Sequence, residues 1–316
     1  SPDDPDIIRV GDELVQTYVD AASTVGLVPT ARSVVAAYTA MHGVGAATLR
    51  RTFAAAGFAP VVEVEQQVEP DPDFPTVAFP NPEEPGALDL GLATAKAAGA
   101  QVLLANDPDA DRLGAAVPDP TSPGGWRALR GDEIGVILAQ HLLASGGVAP
   151  DDVLATTIVS STLLSKIAAA HGVRFVETLT GFKWLGRAAD PDGHLAFGYE
   201  EALGFCAGGL VRDKDGITAA LLLAEAVATL AADGRTVLDV LDDLAIAHGV
   251  HQTAQWSARV AGSDAMEQLT AAMDRMRAAP PVELAGRKVV RVDDLIGGDA
   301  ERGFVPSDVL IWHLDG

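Results

Sequence analysis

Asn106-Asp107-Pro108-Asp109-Ala110-Asp111-Arg112 sets three carboxylates at alternate positions and follows them at once with a guanidinium. The run from Gln101 to Ala105 before it predicts a buried strand, and Leu113 to Val117 after it predicts a second. The acids therefore occupy a tight turn between two strands, with Pro108 fixing the turn. Three carboxylates gathered in one turn repel each other unless a hard cation sits between them, and a site with few protein ligands that keeps its water suits Mg2+. A calcium EF-hand loop starting at Asp107 is excluded, because Arg112 and Pro118 stand where it needs glycine and glutamate. The alternative is a solvated acidic turn, against which the apolar strands at both ends argue.

Outward from this turn the chain repeats itself. Strand Ser33 to Tyr38, loop Thr39-Ala40-Met41-His42-Gly43-Val44-Gly45, a helix through Ala56 and a strand around Val61 to Val64 precede it. The same order returns as strand Val153 to Ile158, loop Val159 to Thr162, a helix through Ala170 and strand Val173 to Glu177. The second copy then reaches its own acidic turn, Gly198-Tyr199-Glu200-Glu201-Ala202-Leu203-Gly204. This predicts an α/β protein with two duplicated α/β/α domains of mixed sheets plus a partial C-terminal α+β domain. Ligands of open α/β sheets bind beyond such strand ends, so the two turns are expected to face one another across a cleft.

The domains are expected at 1–125, 126–252 and 253–316. The first break falls in the Pro-, Ser- and Gly-rich stretch Pro118 to Gly125. Before the first strand, Ile7 to Ala22 carries helical spacing. Gly131-Asp132-Glu133 opens a helix that Asp132 is placed to cap. Arg212-Asp213-Lys214-Asp215-Gly216 precedes a long apolar helix, Ile217 to Ala231. The final segment reads as strand Thr253 to Val260, helix Asp264 to Arg277, a Pro280-Pro281 break, and strands Arg287 to Val292 and Val309 to Leu314.

A formal net charge of −22 in 316 residues argues against nucleic acid and anionic membranes as partners. No apolar run approaches the roughly 18 residues of a membrane span, and Ser1 to Val10 has no signal-like pattern, so a cytoplasmic location is expected. The single cysteine, Cys206, rules out an intrachain disulfide and reads as a packing residue. An anionic ligand would need locally placed cations. Of five lysines, Lys183 and Lys214 fall in short glycine-bearing loops. His42 reads as a loop histidine that bonds backbone near Gly43 and Gly45.

These loops together resemble the signatures of the α-D-phosphohexomutase superfamily, the phosphoglucomutases and phosphomannomutases. Asp107 to Arg112 is similar to the family's D-G-D-G-D-R metal loop, and Glu200-Glu201-Ala202-Leu203-Gly204 to its G-E-x-S-G sugar loop, with Ala202 in place of serine. Thr180-Gly181-Phe182-Lys183, Lys214-Asp215-Gly216 and Thr39 to Gly45 resemble three further family loops, the last with Ala40 in place of proline. The likeness covers nearly the whole chain as domains two and three and the start of domain four.

The resemblance implies Mg2+ on Asp107, Asp109 and Asp111, with Arg112 and Lys183 as catalytic residues. It implies sugar-phosphate contacts from Glu200, Glu201, Lys183, Thr180, Gly181 and Lys214. The implied reaction moves a phosphoryl group between the 1- and 6-positions of glucose or mannose phosphate, through a phosphoserine and a hexose 1,6-bisphosphate that also serves as activator. No T-A-S-H-N-P-like or R-P-S-G-T-E-P-like motif occurs in residues 1–316. The expected partners are therefore a phosphosugar, a phosphoserine domain ahead of these residues and the remainder of the C-terminal domain, and the chain alone is expected to be inactive. Two other readings stay open: a non-catalytic metal- or sugar-binding fragment, and a Mg2+-dependent phosphatase with Asp107 as nucleophile.

Overall fold

The computed structural model describes residues 4, 8, 10–191 and 193–315, which divide into two compact units, 1–253 and 254–316. The expected start of the leading helix at Ile7 lies outside the described residues. That helix, α1, runs Asp12–Ala22.

The first sheet follows from the apolar runs. Strands β1 (Ala36–Thr39) and β3 (Val102–Asn106) are buried along their whole length, as expected of central parallel strands covered on both faces. With β2 (Val62–Glu63), β4 (Leu113–Pro118) and β5 (Trp126–Leu129) they form one sheet in the order β2-β1-β3-β4-β5. Helices α2 (Gly45–Ala55) and α3 (Asp89–Ala98) complete this half. Strand β5 pairs with β4, so the first sheet continues past the Pro- and Gly-rich stretch read as a domain break.

The second half adds α4 (Gly131–Ala144), β6 (Val153–Thr157), α5 (Leu163–His171), β7 (Arg174–Thr178), the short α6 (Phe182–Leu185), β8 (Leu195–Glu200) and β9 (Gly204–Ala207). Its sheet order is β7-β6-β8-β9. In both sheets the first strand pairs parallel with two neighbours and the third pairs antiparallel with the fourth. The duplication read from the sequence is thus a duplication of topology, and the β3–β4 and β8–β9 turns are equivalent.

Two helices fuse these halves. Helix α7 (Gly216–Ala232), buried from Gly216 to Ala228, packs on β3 and β4 of the first sheet as well as on β9 of its own. Helix α4, which follows the first sheet, packs on β8 of the second. Apolar burial on this scale dominates folding stability, and it joins the halves in one core. Inside that core the fully buried Glu225 of α7 accepts from Leu27 N (2.8 Å) and Arg32 Nη1 (2.6 Å), and its Oε1 lies 2.8 Å from His141 Nε2. Helix α8 (Val237–His248), capped by Thr236, closes the unit.

Asp132 does not cap α4. Glu133 takes the N-cap backbone N–H of Arg130, which leaves the Asp132 carboxylate to accept from Ser161 N (2.7 Å), Tyr199 OH (3.1 Å) and Thr253 Oγ1 (2.6 Å).

The 254–316 unit has helix α9 (Ala265–Ala278) and strands β10 (Glu283–Leu284), β11 (Arg287–Asp294) and β12 (Leu310–Leu314) in one antiparallel sheet. The expected strand Thr253 to Val260 does not form: these residues have no regular secondary structure, are mostly exposed, and pair with no strand among the described residues. An alternating pattern yields a stable strand only where a neighbour accepts it. No single described helix is long and apolar enough to cross a membrane.

Candidate functional site

The acidic turn is built by the buried Asn106 at the end of β3. Its side chain accepts from Tyr38 OH (3.0 Å) and donates to the carbonyl of Arg112 (2.6 Å), closing the turn across its base. Asp107 Oδ1 accepts the backbone N–H of Arg112 at 3.0 Å. Ala110 adopts φ +60°, a left-handed conformation that glycine takes without strain. One ligand oxygen from each of Asp107, Asp109 and Asp111 lies within 4.8 Å of the others.

Burial, together with the like charges of Asp111 and Asp109, pushes the Asp107 carboxyl up to about 6 against the opposing pull of the Arg112 N–H. Arg112 Nε stands 3.5 Å from Asp107 Oδ2 and 3.9 Å from Asp111 Oδ1. Converging oxygens, one of them destabilised as an anion, fit a hard divalent cation.

Two neighbouring segments hold the turn in shape. In the Thr39–Gly45 loop, Val44 N donates to the carbonyl of Pro108 (2.8 Å), and a Cβ on Gly43 would lie 2.4 Å from Pro108 Cα. Glycine is needed there for backbone to meet backbone. His42 turns away from these glycines: its Nε2 lies 2.9 Å from Thr76 Oγ1 and its backbone N–H donates to Gln67 O. The expected bond to nearby backbone is replaced by this contact with Thr76, whose hydroxyl the 67–85 loop brings within reach of the ring. On the other side Gly216, at the start of α7, donates to the carbonyl of Ala110 (3.1 Å), and a Cβ there would stand 2.3 Å from Arg112 O. Asp215 caps α7 by accepting from Ile217 N and Thr218 N, and it also accepts from Tyr18 OH at 2.8 Å.

The second turn touches the first. Leu113 N donates to Leu203 O at 3.0 Å, and Arg112 pairs antiparallel with Gly204. The two turns are thus joined directly by backbone and do not merely face each other. Glu200 is buried, and its Oε1 accepts the N–H of Gly181 at 2.6 Å. Gly181 has φ +114° and ψ 130°, open in practice only to glycine. Glu200 therefore holds the Thr180-Gly181-Phe182-Lys183 loop. Burial raises its carboxyl above the usual range, and Glu201 adds to this while the Gly181 N–H and Lys214 pull the other way.

The remaining expected residues divide by what they touch. Glu201 Oε2 accepts from Ser160 Oγ (2.9 Å) and Thr157 Oγ1 (3.2 Å), so it braces the loop after β6. Lys214 Nζ lies 3.1 Å from Asp111 Oδ2 and 5.4 Å from the centre of the Phe182 ring. Lys183 and Thr180 are exposed, and the Lys183 ammonium lies over the Trp184 ring. Sequence reasoning gave no role to the side chains of Tyr38, Asn106 and Tyr18, because the Tyr38–Asn106 and Tyr18–Asp215 bonds join residues far apart along the chain. It also missed Glu83, which is close enough to feel the charges of Arg112 and Glu201.

Two equivalent α/β/α halves, which join the three-aspartate turn to the Glu200-Glu201 turn, define the chain as a duplicated α/β/α protein. The family model described as phosphoglucomutase/phosphomannomutase, alpha/beta/alpha domain II matches residues 16–122, and that for alpha/beta/alpha domain III matches 130–246. The chain belongs to the phosphoglucomutase/phosphomannomutase family.

It is 40% identical over 315 residues to a probable phosphomannomutase of Haemophilus influenzae, covering 99% of this chain and 62% of that protein. It is 39% identical over 228 residues to the human phosphopentomutase, covering 68% of this chain and 37% of that protein. The chain thus spans between about a third and two thirds of the length of these curated relatives. A crystal structure of a putative phosphomannomutase from Thermus thermophilus shares the fold, with a TM-score of 0.69 at 24% identity over 96% of this chain and 58% of that one.

Proposed function

We propose that the protein containing this chain is a phosphosugar mutase that moves a phosphoryl group between the 1- and 6-positions of a hexose phosphate such as glucose or mannose phosphate. The observation that carries this reading is the backbone pairing of Arg112 with Gly204, which sets the three-aspartate turn beside the Glu200 turn. Phosphoryl transfer spreads negative charge over the phosphoryl oxygens, so catalysis needs positioned cations more than covalent chemistry from side chains. Mg2+ bound by Asp107, Asp109 and Asp111 would supply charge to a phosphate-ester oxygen. Arg112, held beside Asp107 and Asp111, adds guanidinium donors to the same oxygens.

The exposed ammonium of Lys183 attracts the substrate's phosphate. Glu200 keeps the Gly181 loop in place with Oε1 and offers its other oxygen to sugar hydroxyls. The phosphoryl donor is a phosphoserine outside these residues. Its group passes to the free hydroxyl of the sugar phosphate, and the other phosphoryl of the resulting bisphosphate returns to the serine, so phosphate is conserved through the cycle. A hexose 1,6-bisphosphate then acts as both intermediate and activator. The resemblance to the human phosphopentomutase favours a second reading in which the sugar is a pentose phosphate.

Calorimetric titration of this chain with glucose 1-phosphate, mannose 1-phosphate and ribose 1-phosphate, with Mn2+ present, tests the assignment. Saturable binding of at least one sugar that is lost in Asp109→Asn supports it. Absence of sugar binding, or binding indifferent to Asp109, contradicts it.

A further inference from the structure

The ammonium of Lys214 is bound to a carboxylate that the metal reading needs. Nζ lies 3.1 Å from Asp111 Oδ2 and 3.5 Å from Asp213 Oδ1. Its stem is laid against Gly204: a Cβ there would stand 2.6 Å from Lys214 Cδ and 3.0 Å from the Phe182 ring. Phe182 belongs to the loop that Glu200 holds through Gly181. Lys214 therefore has its stem against the sugar-binding side of the site and its charge on the metal-binding side, with the Glu200 carboxylate near enough to interact with it.

A divalent cation and an ammonium on one carboxylate repel each other, and a half-buried site screens that repulsion poorly. We propose that Lys214 is a positioning residue that occupies Asp111 while the metal is away, and that metal loading releases its ammonium towards Glu200 and the Gly181 loop, where a sugar phosphate binds. This rests on the metal-loop and phosphosugar readings above. The consequence is a coupling between the two ligands: the metal frees a cation for the phosphate, and by reciprocity the phosphosugar, by holding Lys214 away from Asp111, tightens the metal. Lysine suits this exchange because its charge is a point on a flexible stem that changes partners by rotation.

The test is direct metal binding without turnover. Mn2+ titrations followed by electron paramagnetic resonance, on the wild-type chain and on Lys214→Gln and Lys214→Met, should show roughly tenfold tighter metal binding in both variants, the scale of ordinary coupling between linked sites. Lys183→Gln should leave metal affinity at the wild-type value. Wild-type protein should bind the metal more tightly when glucose 1-phosphate or ribose 1-phosphate is present, and this gain should vanish in Lys214→Gln. In a crystal soaked with Mn2+ the Nζ to Asp111 Oδ2 contact should be broken.

Equal or weaker metal affinity in both lysine variants would overturn the proposal, because Lys214 would then support the loop instead of competing for it. So would an ammonium that stays on Asp111 with the metal bound. Failure of the wild-type chain itself to bind Mn2+ is a separate result, which removes the metal reading and this proposal together.

Discussion

The backbone N–H of Leu113 donates to the carbonyl of Leu203 at 3.0 Å, next to the paired positions Arg112 and Gly204 of the two turns. Leu203 holds φ +65° and Ala110 holds φ +60°, so each turn carries a left-handed residue at its bend. The geometry of the three-aspartate turn is therefore held partly by contacts from the other half of the molecule, and disturbing those contacts should disturb the turn.

Gly216→Ala tests that dependence away from the ligands. The added Cβ would meet the carbonyl of Arg112 at 2.3 Å, and overpacking of this kind costs about 1–3 kcal/mol. Thermal denaturation should show that loss, and metal titration should show weaker Mn2+ binding although no ligand has changed.

Asp109 is the exposed member of the triad. Asp109→Asn should leave stability within about 0.5 kcal/mol of wild type, as for most surface substitutions. Metal affinity should fall by about tenfold to a hundredfold or more, since even partners behind a metal ligand are worth that much. Melting temperature and Mn2+ titration measured on the same samples separate the two effects.

The raised carboxyl of Asp107 gives a pH dependence with a definite sign. Its folded value of about 6 lies above the ordinary 3.8, so ionisation above pH 6 costs stability in metal-free protein, and acidification from about 6 towards 4 returns it. A divalent cation binds the ionised form. Added Mn2+ should therefore raise the melting temperature at pH 7.5 and do little at pH 5, a contrast that scanning calorimetry at the two pH values reads directly.

Glu225 gives the opposite sign. Burial alone would raise its carboxyl, but contacts with His141, the Leu27 N–H and Arg32 outweigh it and bring it down to about 2. Its contribution to stability is complete above about 4.5 and is lost as pH falls towards 2. Glu225→Ala leaves the partly buried Arg32 without its carboxylate and should cost about 3 kcal/mol, the low end for removing one partner of a buried ion pair. Urea denaturation at pH 7 checks this.

Much of the fold was legible because the chain states it twice. The apolar strands ending at Asn106 and Glu200 and the loops beginning at Thr39 and Val159 share one order, and the two sheets share one topology. Strand β5 was hidden because Trp126, Arg127 and Ala128 are not fully buried and carry no apolar run. The expected strand at Thr253 failed for the converse reason, an alternating pattern without a neighbour. In the site, the three aspartates were readable from spacing alone. The commitment of Glu201 to Ser160, of Asp132 to Ser161 and Thr253, and of His42 to Thr76 was not, because each is settled by a loop brought alongside only by the tertiary fold.

The central claim, that the paired turns serve phosphoryl transfer on a sugar, is tested most directly by phosphorus-31 NMR of the protein containing this chain, incubated with Mg2+ and an aldose 1-phosphate. The account predicts that the 1-phosphate resonance is replaced by that of the terminal phosphate isomer, with no net release of inorganic phosphate. Glu200→Gln, which keeps an acceptor for Gly181 but loses the charge, should slow this conversion by roughly tenfold to a hundredfold at an unchanged melting temperature. Release of inorganic phosphate in place of the isomer, or conversion at the wild-type rate in Glu200→Gln, would contradict the account.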